Sequence, residues 1–531
     1  MSALHRSATI PLLLGLLILA RGTVRAITLV ENGRPHATIV VAAQADSKIM
    51  TAADELQAYV KKMSGAVLPI ATDADPPQGP LALVGRSKLA DAMGVHIPSG
   101  VTPAREEEGF VIVCKGDRLL LAGNNQAEYH GTEYAVADFL ERLGVRWFMP
   151  TDFGEIVPTM KTITFADAEI TEKPDFRMRD GEFDPKWSLR NKSGFASDFV
   201  ANDTSVWFYM PSFEERPELY ALGPDGNRNK ELGICYSSAE TVKAVSERIV
   251  AAFKKDPLLH VIGFAPPDGV PACSCPDCQE AGQGFPNSHI CVNNIGDRNN
   301  SEEWMSFADK VAALVYRECP DRYVWTNGYS NRRFAPQGFK AFSPNLGVMY
   351  AGLEDCALHA LDDPKCWQKQ AQALTLRRWR QLTNGKVSIY DYNLQMMVSS
   401  LTPLPMAHKL RRDMPLWKQW GVMGYFLCTR HCWAEEGIFT KYLRAKLAWN
   451  VNADVEVLMR DYYSAGYGKA ARPMRAYWDT MEKAIADAPF HASMFNTILP
   501  EVYTPAVMAK LEKSLVEGER AADTERDRLH V

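Results

Sequence analysis

Acidic side chains recur in this chain where short apolar runs end. Val261–Phe264 breaks at Pro266-Pro267, and Asp268 follows directly. Val387–Tyr390 runs into Asp391, and Leu346–Tyr350 is followed by Glu354 and Asp355. Phe176–Phe183 carries Asp180 and Glu182, and Val422–Leu427 precedes Glu435 and Glu436. Two convergent carboxyls can protonate a leaving oxygen and assist an anomeric carbon, which is what glycosidic-bond cleavage needs. Aromatic side chains accompany the acids: Trp325, Tyr329, Tyr350, Tyr390, Tyr392 and Trp433. Aromatic faces beside acids suit sugar rings. The expected catalytic set is Asp268, Asp391, Glu354 and Asp355, with the six aromatics and Arg430 binding substrate. Singly, any of these acids can be a solvated loop charge; Asp268 also fits a plain turn after Pro-Pro. This chemistry requires no cofactor.

Cys273, Cys275 and Cys278 form a C-x-C-x-x-C motif. The spacing fits a metal knuckle, with Cys291 or His289 as fourth ligand, or one disulfide with a spare thiol. Eleven cysteines leave at least one without a disulfide partner. Cys356 with Cys366 and Cys428 with Cys432 are further short-range pairs.

Carboxylates at the ends of buried strands are what a (β/α)8 barrel presents at its active face. Eight strands are expected: Phe176–Phe183, Val206–Met210, Leu232–Tyr236, His260–Ala265, Tyr323–Trp325, Leu346–Tyr350, Val387–Tyr390 and Val422–Leu427, with helices between them. Before them, residues 27–170 read as an α/β sandwich. It has an amphipathic helix at Ala52–Met63, a hairpin around Lys115-Gly116-Asp117 and a second helix at Gly131–Leu143. After them, residues 455–531 read as helical. The fold class is therefore α/β, with an N-terminal sandwich, a barrel over 171–454 and a helical C-terminal region.

At 531 residues, two or three domains are expected, and 46% hydrophobic with 23% charged residues is a globular composition. A net charge of −5 with no basic stripe argues against nucleic acid as partner. His5 and Arg6 precede the apolar run Ile10–Ala20, and Val24-Arg25-Ala26 suits signal-peptide cleavage. Export of residues 27 onward is expected, without stable membrane insertion. The sequence leaves oligomeric state open.

Two family resemblances bear on these readings. ELQAYVKKMSGAVLPI, LALVGRS and LLLAGNNQAEYHGTEYAVADFLERLGVRWFMP resemble the accessory domain that precedes the barrel in α-glucuronidases and family 20 hexosaminidases. That resemblance implies a packing domain, with Arg146 and Trp147 structural. PELYALGPDGNRNKELGICYSSAETVKAV, the Asp268 and cysteine segment, IYDYN, GVMGYF and FTKYLRAKLAWN resemble domain-of-unknown-function family 4838, grouped with glycoside hydrolase family 163. That second likeness implies endo-β-N-acetylglucosaminidase action on glycans by a retaining, substrate-assisted mechanism. Arg216 stands where that family often has His, and Pro267 where Asn is common.

Three other readings compete. An inverting α-glucuronidase-like hydrolase would use Asp268 as acid, Asp355 or Asp391 as base, and Arg430 or Arg332 as a uronate clamp. A carbohydrate-binding barrel would need no acids. A metal redox site would use the cysteine loop.

Overall fold

The computed structural model describes residues 25–181, 184–193, 199–202, 204–267, 273–281, 299–353, 355–392, 403–428, 438–492 and 499–531. Of the expected signal segment, residues 1–26, only Arg25 and Ala26 lie among these, and Ala26 begins the strand Ala26–Glu31.

The N-terminal part is a six-stranded mixed sheet. Its order is Ala168–Glu172, Phe110–Lys115, Arg118–Gly123, Leu81–Val84, Thr38–Val41, Ile70–Thr72. Strand alternation divides its side chains between two apolar layers. Ile39, Val41, Ala82, Val84, Ile112 and Leu121 face the helices Ser47–Ser64 and Gly131–Arg142. Val40, Leu81, Leu83, Val113 and Leu120 face a smaller cluster with Ala90 and Ile97. The first helix starts where Asp46 accepts from the Ile49 N–H and stops at Gly65, whose φ of 84° is left-handed.

The second part is a curled parallel half-barrel of six strands. Their order is Met178–Gly181, Val422–Leu427, Val387–Asp391, Leu346–Ala351, Tyr323–Tyr329, Val261–Gly263. Helices Ala239–Lys255, Ser301–Glu318, Trp367–Leu382, Ala407–Gln419 and Ile438–Trp449 accompany the strands. The second and third expected strands are not strands. Val206–Met210 is a 3-10 helix, Ser205–Tyr209, entered through Thr204 at φ 68° and carrying Phe208 80% exposed. Its apolar residues do not share one buried face, and Pro211 stops any extension. Leu232–Tyr236 holds the end of a 3-10 turn and a single bridge, Ile234 to Tyr220.

The gap those strands would fill is crossed by residues 199–202 and 204–206. Ser388 Oγ donates to the Phe199 carbonyl at 2.6 Å, and the Val206 N–H donates to the Ala265 carbonyl at 3.0 Å. A Cβ on Gly263 would stand 2.2 Å from the Val200 carbonyl, so only glycine admits this segment. Phe199 and Ala201 join Met178, Val261, Trp325 and Met349 in an apolar filling of the barrel interior.

The two parts share a buried polar seam. Arg179 pairs with Glu108 through two bonds of 2.9 Å. Lys192 reaches Asp138 at 3.0 Å and Glu141 at 2.8 Å, and Lys446 also pairs with Glu141. Trp449 stacks on Phe110 with centroids 5.4 Å apart. The C-terminal helices, Val455–Tyr467 through Glu525–His530, attach through Arg146, whose Nε donates to Asp461 at 2.6 Å. Trp147 Nε1 donates to Tyr59 at 2.7 Å, so Arg146 and Trp147 both serve packing. Among the described residues no helix is long and apolar enough to cross a membrane.

Candidate active site at the barrel strand ends

Alternation along the first barrel strand decides which side chains enter the bowl. Met178 fills the barrel interior, and Arg179 points outward to Glu108, so Asp180 points inward above Met178. Asp180 is half-buried, and burial pushes its carboxyl up to about 6, only partly offset by the Gly181 N–H at 2.7 Å. A carboxyl balanced between its two forms near neutrality suits proton transfer.

Aromatic rings continue from Asp180 along the same rim. Asp180 stands in register with Phe426, and Phe426 with Tyr390. The Phe426 and Tyr390 rings are 5.1 Å apart, Tyr390 and Tyr392 4.9 Å, and Tyr392 and Tyr329 6.3 Å. Beneath Tyr329 on the same strand, Asn327 accepts from Arg332 Nε at 2.8 Å and holds that buried guanidinium beside the bowl. Trp325 lies deeper still. It is fully buried, with Nε1 on Ser388 at 2.9 Å, and its ring lies where a Cβ on Gly347 would be. Trp325 therefore forms the floor and presents no face to a ligand.

The same alternation takes Asp391 to the other side of the wall. Tyr390 faces the interior, so Asp391 turns toward the helices, where Arg444 Nη1 donates to it at 2.7 Å. Asp391 and Asp355 line one pocket there with Lys369, Lys409 and Asp413. Asp355 accepts from Tyr350 at 2.5 Å and lies 3.6 Å from Arg333, and Tyr350 itself is buried behind the wall. Burial and the nearby Lys409 push the Lys369 ammonium down. The structure thus brings Asp355 and Asp391 together in a pocket that Tyr390 and Tyr392 also line, and sets Asp180 along the rim from Tyr390, Tyr392 and Tyr329.

Asp268, Glu354, Arg430 and Trp433 lie outside the described residues, as do Glu182, Glu435 and Glu436. The strand that leads to Asp268 is present as Val261–Gly263, with the chain described up to Pro267. One acid had no signal in the sequence. Glu303, in the first turn of the helix Ser301–Glu318, is outside the expected set, yet burial pushes its carboxyl up to about 7.

Cysteines form two clusters. Cys273, Cys275 and Cys278 meet Cys235, with all four sulfurs within 4.8 Å of one another. Cys291 and His289, the expected fourth ligands, are outside the described residues. Cys235 lies 38 residues before Cys273, so no short spacing links them. Cys356, His359, Cys366 and His491 form the second cluster, also within 4.8 Å.

A family GH115 4-O-methyl-α-glucuronidase with specificity for decorated arabinogalactans matches 95% of this chain and 71% of its own, at a TM-score of 0.56 and 11% identity. The likeness is one of fold. CpGH84B aligns with 94% of the chain and 85% of its own (TM-score 0.45, 11% identity). A Streptomyces plicatus N-acetyl-β-hexosaminidase in complex with Thio-NAglucal aligns with 84% of this chain and 93% of its own (TM-score 0.42, 14% identity). No curated protein matches the sequence. The family model described as Domain of unknown function (DUF4838) matches residues 149–479, which takes in every barrel strand and the whole bowl. That span is more than half of the 531 residues, and the chain belongs to this family.

Proposed function

We propose that the protein is a glycoside hydrolase whose active site is the bowl over the strand ends. The observation that carries this is Asp180, an inward carboxyl raised to about 6 by burial, at the end of a rim of aromatic rings. Hydrolysis of a glycosidic bond needs an acid of this kind and a second group on the sugar's other side. Asp268, five residues after the strand Val261–Gly263 in sequence, is the proposed second carboxyl. Phe426, Tyr390, Tyr392 and Tyr329 offer faces for sugar rings. Asp391 and Asp355 anchor the wall behind those tyrosines through Arg444 and Tyr350.

The proposed substrate is an N-acetylhexosamine-containing glycan, cleaved with retention through the substrate's own acetamide. One carboxyl then polarises the acetamide while the other protonates the leaving oxygen. Secretion after loss of the first 26 residues belongs to the same proposal, since such glycans are met outside the cell. The test is incubation with a glycan panel, identifying the released reducing end and its first-formed anomer. A β-anomeric GlcNAc end supports the proposal.

A second reading, inverting hydrolysis of a uronate, is favoured by the buried Arg332 beside the bowl. It gives release from uronides, with inversion, and none from N-acetylhexosaminides.

A further inference from the structure

We infer that Cys235, Cys273, Cys275 and Cys278 are a structural zinc site. Cys235 Sγ lies 3.7 Å from Cys275 Sγ and 3.9 Å from Cys278 Sγ. A disulfide would need about 2.05 Å. A zinc–sulfur bond of about 2.3 Å gives a tetrahedron with edges of about 3.8 Å, close to those two separations, and all four sulfurs lie within 4.8 Å of one another. The surroundings suit thiolates as well. The Leu222 N–H donates to Cys273 Sγ at 3.1 Å, and the Ser237 N–H to Cys278 Sγ at 3.3 Å. Ser237 Oγ lies 3.3 Å from Cys275 Sγ and 3.1 Å from Cys278 Sγ. Outer hydrogen bonds of this kind hold metal-ligating sulfurs in place and temper their charge. Three of the four sulfurs belong to buried residues and Cys275 is half-buried. Four protein ligands leave no open position, so the ion is structural and not catalytic. It joins the turn around Ile234 to the segment from Cys273, five residues beyond Asp268 in sequence.

A second site rests on different residues. Cys356 Sγ and His359 Nδ1 are 3.3 Å apart, as are Cys366 Sγ and His491 Nδ1. His359 Nε2 lies 3.0 Å from the Ala488 carbonyl, to which it donates, leaving Nδ1 free of its proton for a metal. The structure assigns a Cys2His2 zinc ion here, tying the loop after Leu346–Ala351 to the segment that follows helix Ala471–Ala486. The Ala357 N–H donates to the Ala492 carbonyl at 2.7 Å across the same junction.

Elemental analysis of the purified full chain, with an intact mass, tests both. Two equivalents of zinc are expected, with Cys235, Cys273, Cys275, Cys278, Cys356 and Cys366 free of disulfides. Cys235→Ser loses one equivalent and Cys366→Ser loses the other. Should a variant fail to fold, titrating the unaltered protein with an organomercurial and a zinc indicator still decides, since thiol capture must release two equivalents. Cobalt(II) exchanged into the protein should show the ligand-field absorption of tetrahedral thiolate sites. Absence of zinc, iron in its place, or a mass showing disulfides among Cys235, Cys273, Cys275 and Cys278 overturns the first site. A single equivalent, lost with Cys235→Ser and kept in Cys366→Ser, overturns the second.

Discussion

Arg444 Nη1 donates to Asp391 Oδ2 at 2.7 Å, joining the helix Ile438–Trp449 to the strand end that carries Tyr390 and Tyr392. The guanidinium is fully buried, so the pair fixes this part of the wall. Removing one partner of a buried pair leaves the other charge uncompensated, at a cost of about 3–5 kcal/mol. Asp391→Asn and Arg444→Met should each fall in or near that range in denaturant unfolding. The double variant should cost at least about 1 kcal/mol less than the sum. Additive losses would show that the two side chains are not coupled.

Asp180 makes the protein less stable as pH rises. Its carboxyl is near 3.8 ordinarily and about 6 when folded. Between those values the folded state holds more protons than the unfolded one. Stability is therefore fullest below about 3.8 and falls as pH rises to about 6. Asp180→Asn removes that penalty and should raise stability at pH 7.5 by roughly 1–3 kcal/mol relative to wild type, with little gain at pH 4. Melting curves at the two pH values check this. Equal effects at both would show that Asp180 is not a strained acid.

Glu141 gives the opposite pH dependence. Burial alone would raise its carboxyl, but Lys192 and Lys446 outweigh burial and hold it down at about 2. Its stabilisation is full above the ordinary 4.5 and is lost as pH falls toward about 2. Glu141→Gln leaves two buried ammoniums facing each other and should cost about 3 kcal/mol at pH 7. Unfolding curves at pH 7 and pH 3 should show that cost shrinking on acidification.

Floor and rim should respond differently to truncation. Trp325→Ala empties the barrel interior and should destabilise by about 3–5 kcal/mol. Tyr392→Ala removes a half-buried rim ring. It should raise KM roughly 2–10-fold with a small change in melting temperature, the worth of one aromatic stacking contact. A parallel collapse of stability in both variants would place Tyr392 in the core.

The sequence showed much of this fold because its signals are local. Short apolar runs such as Val387–Tyr390 and Val422–Leu427 became parallel strands, and the helix expected over Ala52–Met63 ends at Gly65. Val206–Met210 misled because five apolar letters do not show whether they share a buried face, and Phe208 does not. Asp391 directly follows an apolar run, but one step of alternation separates it from Tyr390 and turns it behind the wall. The run alone could not fix that phase. Asp180 stood among the strand-end acids, but its raised carboxyl depends on burial that neighbouring strands supply. Cys235 and His491 were invisible as ligands because each joins its cluster across a long stretch of chain. That proximity is a property of topology and not of spacing.

Turnover of a cleaved glycan by Asp180→Asn and Asp268→Asn, each beside its melting curve, tests the central claim most directly. Both substitutions keep size and remove the exchangeable proton and charge. The proposal predicts a loss of roughly 10²-fold or more in each, with both proteins still folded. It also predicts a GlcNAc reducing end from the wild type. Near-native turnover in both folded variants would contradict it, as would a wild-type protein that releases nothing from any N-acetylhexosamine glycan.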